Sequence, residues 1–381
     1  MVLLALGILI ASFEHSDIFY ATDLRTNQDV NLIIDDEDDE PAEMTFADLT
    51  PNVNSRALAA DGAFDIDDIK SGNAIAAAHK KIIEFSTKTV LGYRCSATAA
   101  MTIVGNDIYC VRTASQSGDT ERKLPVVLHI IKNFATNPVE KTVVLETEGG
   151  SQRIAAHANG LSHTVDAKGN ITFYLATGNV PNTSEYDDVE EIKGSQVVCF
   201  GVDGIISNKY SYTKKAYSVN YVKTENGVKY FMLNRGTSGT GCYRFALVKE
   251  NGTTLELVKN YKFRVLKDNV NGVDTHLYNS GNDAYYDTET KQMYLTLFLK
   301  PESGSITKNA IVKYDMSKEQ TIYDPVRVVQ ANSSGEVKFE IEGVRYFGSK
   351  MYLCANVVEK SGKEGPDAIY SIYKTGSYKK D

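Results

Sequence analysis

Histidines and carboxylates recur at close spacing in this chain, the pairing that metal ligation or shared proton transfer requires. Arg153, His157, Asn159 and His163 form one cluster, and Asp274 and His276 a second. In a third, Lys338 precedes Glu340 and Glu342, which alternate with Phe339 and Ile341 and so share one face of an extended strand. Tyr217 adds a ring and a hydroxyl, and Thr98 and Thr102 add small polar groups. Two readings are open. His157, His163, Asp274, His276 and Glu340 could serve a glycosidase or lyase. A glycosidase needs two carboxylates about 5–10 Å apart, which one strand alone does not supply. Alternatively, these groups plug the places where strands converge and buried backbone demands partners.

Several familiar signatures are missing from the sequence: HExxH, a P-loop and a nucleophile elbow. Gly236-Thr237-Ser238-Gly239-Thr240-Gly241 looks like a phosphate cradle, but a strand pattern follows it where a helix is needed. Asp268-Asn269-Val270-Asn271-Gly272-Val273-Asp274 hints at calcium without the full alternating ligand set. Cys95, Cys110, Cys199, Cys242 and Cys354 are widely spaced in apolar runs, with no CxxC, and read as small buried hydrophobes. No cofactor or metal is expected beyond that calcium hint.

The elements that must position these groups announce themselves by repetition. Ile108-Tyr109-Cys110-Val111 returns as Phe173-Tyr174-Leu175-Ala176, Tyr230-Phe231-Met232-Leu233, Met293-Tyr294-Leu295-Thr296 and Met351-Tyr352-Leu353-Cys354, at intervals of about 60 residues. Each follows a turn signal, such as Gly105-Asn106, Lys168-Gly169-Asn170 or Asn226-Gly227. Strand repeats of this size imply an all-β, five-bladed β-propeller, because one blade cannot bury both its faces. The expected blades span residues 81–378. The last runs out of chain after Ala368–Lys374, so Ile82–Val90 is expected to supply its outer strand and close the ring. The expected inner strands, including Asp274–Asp283 in the fourth blade, carry the clusters above toward the axis.

Residues 1–75 hold 16 acids against 3 basic residues, a balance of −13, so the remainder carries +5 despite a net charge of −8. That is far from a nucleic-acid footprint. Met1–Phe13 is apolar, too short to span a membrane and of the length of a signal-peptide core, which predicts export over residues 1–21. Residues 22–80 read as an acidic leader, with the block Asp35–Glu40 solvated or acting as a pro-region that masks the basic body. A helix is expected over Asp67–Lys81, its acids first and its lysines last. The expected partner is a cell-envelope polymer or surface glycan, met by Tyr-rich faces, with no nucleic acid and no membrane span in the mature chain.

Two stretches are similar to the helveticin-J-like class III bacteriocin family. His157-Ala158-Asn159-Gly160-Leu161, leading to Phe173-Tyr174-Leu175-Ala176-Thr177-Gly178-Asn179, resembles its histidine-alanine-asparagine segment and aromatic strand. Gly335-Glu336-Val337 to Tyr370, with Glu340-Ile341-Glu342-Gly343 and Met351-Tyr352-Leu353, resembles its C-terminal end. Ala100-Met101-Thr102 before Gly105-Asn106-Asp107 also fits the opening blade of related secreted proteins. Where the family has an acidic residue after the asparagine, this chain has Gly160. The resemblance implies a secreted, non-enzymatic, antibacterial or surface-binding propeller from a Gram-positive-type setting.

Overall fold

The computed structural model describes residues 42–44, 75–85, 89–90, 93–115, 126–148, 158–177, 195–237, 243–265, 269–270, 273–274, 278–299, 308–316, 320–329, 336–347, 350–359 and 368–377. Among the described residues every regular element is a strand. The expected signal segment lies outside the described residues, and so does most of the leader.

After the short strand Ala42–Met44 comes β1 (Ile75–Glu84). A meander follows of β2 (Tyr93–Val104), β3 (Asp107–Ser115), β4 (Val126–Lys132) and β5 (Val139–Val144). A second is built from β6 (Asn159–Val165), β7 (Ile171–Ala176), β8 (Ser195–Phe200) and β9 (Ile205–Tyr212). The third comprises β10 (Ser218–Glu225), β11 (Val228–Thr237), β12 (Tyr243–Asn251) and β13 (Thr254–Val265). The fourth comprises β14 (Tyr278–Asp287), β15 (Gln292–Leu299), β16 (Lys308–Asp315) and β17 (Gln320–Val329). The last has only β18 (Glu336–Phe347), β19 (Lys350–Glu359) and β20 (Ala368–Ser377) from its own stretch of chain.

The missing outer strand comes from β1, which pairs antiparallel with β20 (Ile83↔Ile369, Glu84↔Ala368) and parallel with β17 (Ile75↔Val326). Closure by an early segment is therefore present, but seven residues earlier in the chain than the sequence suggested. Thr89–Val90 instead pairs with Tyr93–Arg94. Ile75–Lys81 is strand and not the end of a helix. Its Ala run carries helix propensity, but two waiting strand edges satisfy its backbone on both sides, and that tertiary context overrides a weak local preference.

The first strands of the units lie side by side in a ring: β2 against β6, β6 against β10, β10 against β14, β14 against β18, and β18 against β2. This is the radial packing of a β-propeller. The aromatic repeat is the second strand of each unit, and its alternation serves two neighbours at once. Tyr109 and Val111 pack with Leu161, Phe173 and Leu175 of the second unit. Ile108 and Cys110, on the opposite face, pack with Tyr352, Cys354 and Ile369 of the last. Tyr174 and Ala176 turn to Val219, Phe231 and Leu233 of the third. That double burial is why these runs are apolar at every position instead of every second one.

Candidate functional site

An inner strand has a pairing partner along one edge only, so N–H groups on its other edge need acceptors from elsewhere. Side chains of neighbouring units supply them. Ser162 Oγ accepts from Tyr221 N (3.1 Å). Asn220 donates to Ala284 O (2.7 Å) and accepts from Tyr286 N (3.0 Å). Ser218 Oγ accepts from Ala284 N (3.3 Å). Asn309 donates to Phe339 O (2.5 Å) and accepts from Ile341 N (3.3 Å). Asn356 Oδ1 accepts from Thr98 N (2.7 Å), and Thr102 Oγ1 stands 2.8 Å from His163 Nδ1. Every adjacent pair of units is thus fastened by a polar side chain close to the axis.

The inner strands are also bulged, and the bulges aim residues inward. Gly160 is skipped between the partners of Leu175 and Ala176, Glu342 between those of Ala355 and Cys354, and Gly281–Asp283 stand opposite Thr296. Gly160, Ser218, Asp283 and Gly343 meet there. A Cβ added to Gly160 would lie 2.2 Å from Ser218 Cβ and 3.0 Å from Asp283 Oδ1. One added to Gly343 would lie 3.2 Å from Asp283 Oδ2 and 3.3 Å from Met101 Cγ. The axis is filled at this level by all the units together.

Asp283 is fully buried there, and its Oδ2 accepts from Arg345 Nη1 at 2.7 Å. Arg345 also donates to Val344 O and Leu161 O (2.6 Å each) and lies 5.2 Å from the centre of the Tyr285 ring. Burial pushes the Asp283 carboxyl up to about 6, although Arg345 and a backbone hydrogen bond pull the other way. Burial, helped by the Arg345 charge, pulls His163 down to about 4.

These shifts have opposite consequences. His163 protonates more readily unfolded, so its contribution to stability is complete above pH 6.5 and fades as pH falls toward 4. Asp283 ionises more readily unfolded, so its contribution is complete below pH 3.8 and fades as pH rises through 6. Each amounts to about 3 kcal/mol, and the two nearly cancel between pH 4 and 6. Denaturation midpoints at pH 4, 5, 6 and 7 should therefore diverge between variants. His163→Asn should lose stability with rising pH relative to the parent, and Asp283→Asn with falling pH. Parallel curves for all three proteins would refute the assignment.

The residues nominated from sequence are distributed unevenly. Asn159, Glu340 and Glu342 are buried near the axis, and His163 is a fastener. Glu342 Oε1 accepts from Asn356 Nδ2 at 2.7 Å, which orients the amide that holds Thr98. Tyr217 is half-buried beside Gly236, with Lys215 Nζ 4.7 Å from its ring centre. Asp274 is not on an inner strand. It belongs to a two-residue ladder with Asn269, because the inner strand of its unit begins at Tyr278. Arg153, His157 and His276 lie outside the described residues, as does the Lys338 side chain. Among the described residues no three His, Cys, Asp or Glu side chains gather to hold a metal ion, and no helix is long and apolar enough to cross a membrane.

Asp283 and Arg345 escaped the sequence reading, which placed Asp283 at the far end of a strand begun too early. A usable signal was present. Asn159-Gly160-Leu161-Ser162, Tyr217-Ser218-Val219-Asn220, Asn282-Asp283-Ala284-Tyr285 and Glu342-Gly343-Val344-Arg345 align unit on unit, and the second member of each is the residue at the axis.

No family model matches the chain, and no curated protein matches it. Among solved structures it is similar to the catalytic domain of the GH62 alpha-L-arabinofuranosidase of Coprinopsis cinerea, at TM-score 0.45 and 7% identity over 83% of this chain and 98% of that one. An exo-1,5-alpha-L-arabinanase from a bovine ruminal metagenomic library matches at TM-score 0.41 and 11% identity, over 78% and 97%. An exo-beta-1,3-galactanase from Phanerochaete chrysosporium matches at 0.44 and 9%, over 78% and 64%. With TM-scores below 0.5, these likenesses decide neither fold nor function.

Proposed function

We propose that the chain is a secreted five-bladed β-propeller that binds a glycan polymer of the cell envelope, in the manner the bacteriocin resemblance suggests. One observation carries the non-catalytic part of this reading. Among the described residues, Ser162, Ser218 and Asn220 of the inner strands are spent on fastening neighbouring units, and Gly160, Ser218, Asp283 and Gly343 pack closely together at the axis. A hydrolytic pair of carboxylates needs a gap holding a sugar, and in retaining or inverting enzymes that gap is about 5–10 Å. Binding therefore falls to the outer surfaces. Tyr217, Tyr230 and Tyr261 each carry a lysine ammonium 4.7–4.9 Å from the ring centre. A flat ring beside a cation suits an anionic sugar chain.

Glycoside hydrolysis is the second reading: burial pushes the Asp283 carboxyl up to about 6, in the direction a general acid needs, but that reading also requires a sugar to reach it. Incubating purified cell-wall glycan with the protein, and measuring both retention and new reducing ends, separates the two. Retention without release is the expected result, unchanged in Tyr230→Phe but weakened in a Tyr217→Ala/Tyr261→Ala variant. Release by the parent that disappears in a folded Asp283→Asn variant would establish the enzyme. Neither retention nor release would remove both readings.

A further inference from the structure

Charge is unevenly spread around the ring. Residues 214–265, the third unit and its approach, hold 10 Lys and Arg against 3 acids, a surplus of 7, whereas the rest of the chain from residue 76 holds 28 against 30. The third unit's acids are already engaged: Glu225 with Lys223 (3.1 Å), Glu250 with Lys229 (3.2 Å) and Glu256 with Lys249 (3.4 Å). The unit as a whole is therefore basic, and Lys259, Lys262 and Arg264 stand on β13.

β13 is the outer strand of its unit, and its middle presents Leu257 and Val258, 41% and 47% exposed. An edge of this kind invites another strand unless it is covered. Toward one end it touches β9 at Ser211↔Thr254. Toward the other it is paired in parallel with Ala42–Met44, in the register Ala42↔Phe263, Glu43↔Arg264, Met44↔Val265. Parallel rim pairing recurs in this molecule, at Glu146–Thr147 on β9 and at β1 on β17. Immediately before Ala42 stand the six acids Asp35–Glu40 and then Pro41. Because the pairing is parallel, the way back along the chain from Ala42 is also the way back from Phe263 to Lys262 and Lys259.

We propose that the outer edge of β13 is a docking site for the chain's own acidic segment, Asp35–Glu40, anchored by strand addition through Ala42–Met44. Strand addition supplies main-chain hydrogen bonds, and the facing charges supply selectivity. Docked there, the segment shields the basic unit from anionic polymers, and its displacement or removal uncovers that unit. This does not depend on the axial groups or on which glycan is bound.

The test uses the full chain on a heparin resin, a sulfated polysaccharide, at 150 mM salt and with a salt gradient. One variant neutralises Asp36, Asp38, Asp39 and Glu40 as amides; a second neutralises Asp61, Asp65, Asp67 and Asp68, an equal change in charge. The first should be retained about tenfold more strongly than the parent, and the second should stay near the parent, because β1 ties that stretch to β17 and β20 instead of β13 and more distant charges are screened at this salt. Lys259→Gln/Lys262→Gln in the first variant should cancel the gain. In a Cys242→Ser background, Glu43→Cys with Arg264→Cys should form a disulfide, since adjacent strands bring Cα atoms within bridging range. Equal shifts in both neutralised variants, no shift in either, or no disulfide would overturn the docking.

Discussion

Replacing Arg345 with methionine should destabilise the fold by about 3–5 kcal/mol, because it leaves the fully buried Asp283 carboxyl without its cationic partner. The same change leaves Leu161 O and Val344 O without the donor they have now. Leu161 belongs to the second unit, Asp283 to the fourth and Arg345 to the last, so one guanidinium ties three units at the axis. Chemical denaturation at pH 7 measures the loss. Adding Asp283→Asn should recover part of it, since no charge then remains to bury. A single-variant cost below about 1 kcal/mol would mean that the pair is not buried as described.

The second large effect is expected at Gly160. Its φ of +66° is costly for any residue with a Cβ, by about 1–2 kcal/mol, and the added carbon would stand 2.5 Å from the Ser218 Cα. Overpacking of this kind adds about 1–3 kcal/mol. Gly160→Ala should therefore cost about 3 kcal/mol or prevent folding. Gly105→Ala is the control: its φ is +56° but nothing lies within 4 Å of the added Cβ, so it bears the conformational cost alone. Equal losses at the two positions would contradict the close approach of the second and third units. An acidic side chain cannot stand at residue 160 in this chain, because Ser218 and Asp283 already fill its space.

How far the sequence could be read follows from which forces leave a periodic trace. The repeated aromatic strands were visible because each buries alternate side chains against two neighbours, as Tyr109 and Cys110 do. The need for an early strand to complete the last unit was visible too, because β18–β20 leave an edge open. The identity of that strand was not, since Ala76-Ala77-Ala78 looks helical until β17 and β20 offer it hydrogen-bonding edges. At the axis, period-two reading failed at the bulges. Counting alternate residues through Gly281–Asp283 or past Glu342 loses the register, so Asp283 and Arg345 were passed over while Glu340 and Glu342 were expected to share a face. The asparagines and serines that fasten the units gave no signal of their own, because their partners are backbone groups of another unit, from 30 to 258 residues away in the chain.

Side chains of neighbouring units occupy the inner edges of the ring in place of water. Amide hydrogen exchange tests this directly at Thr98, Tyr221, Ala284, Tyr286 and Ile341, whose N–H groups donate to side chains of a neighbouring unit. Exchange as slow as that of the buried β3 and β7 amides is the expected result. Exchange as fast as that of the exposed turn at Lys168-Gly169 would show water on the axis and contradict it.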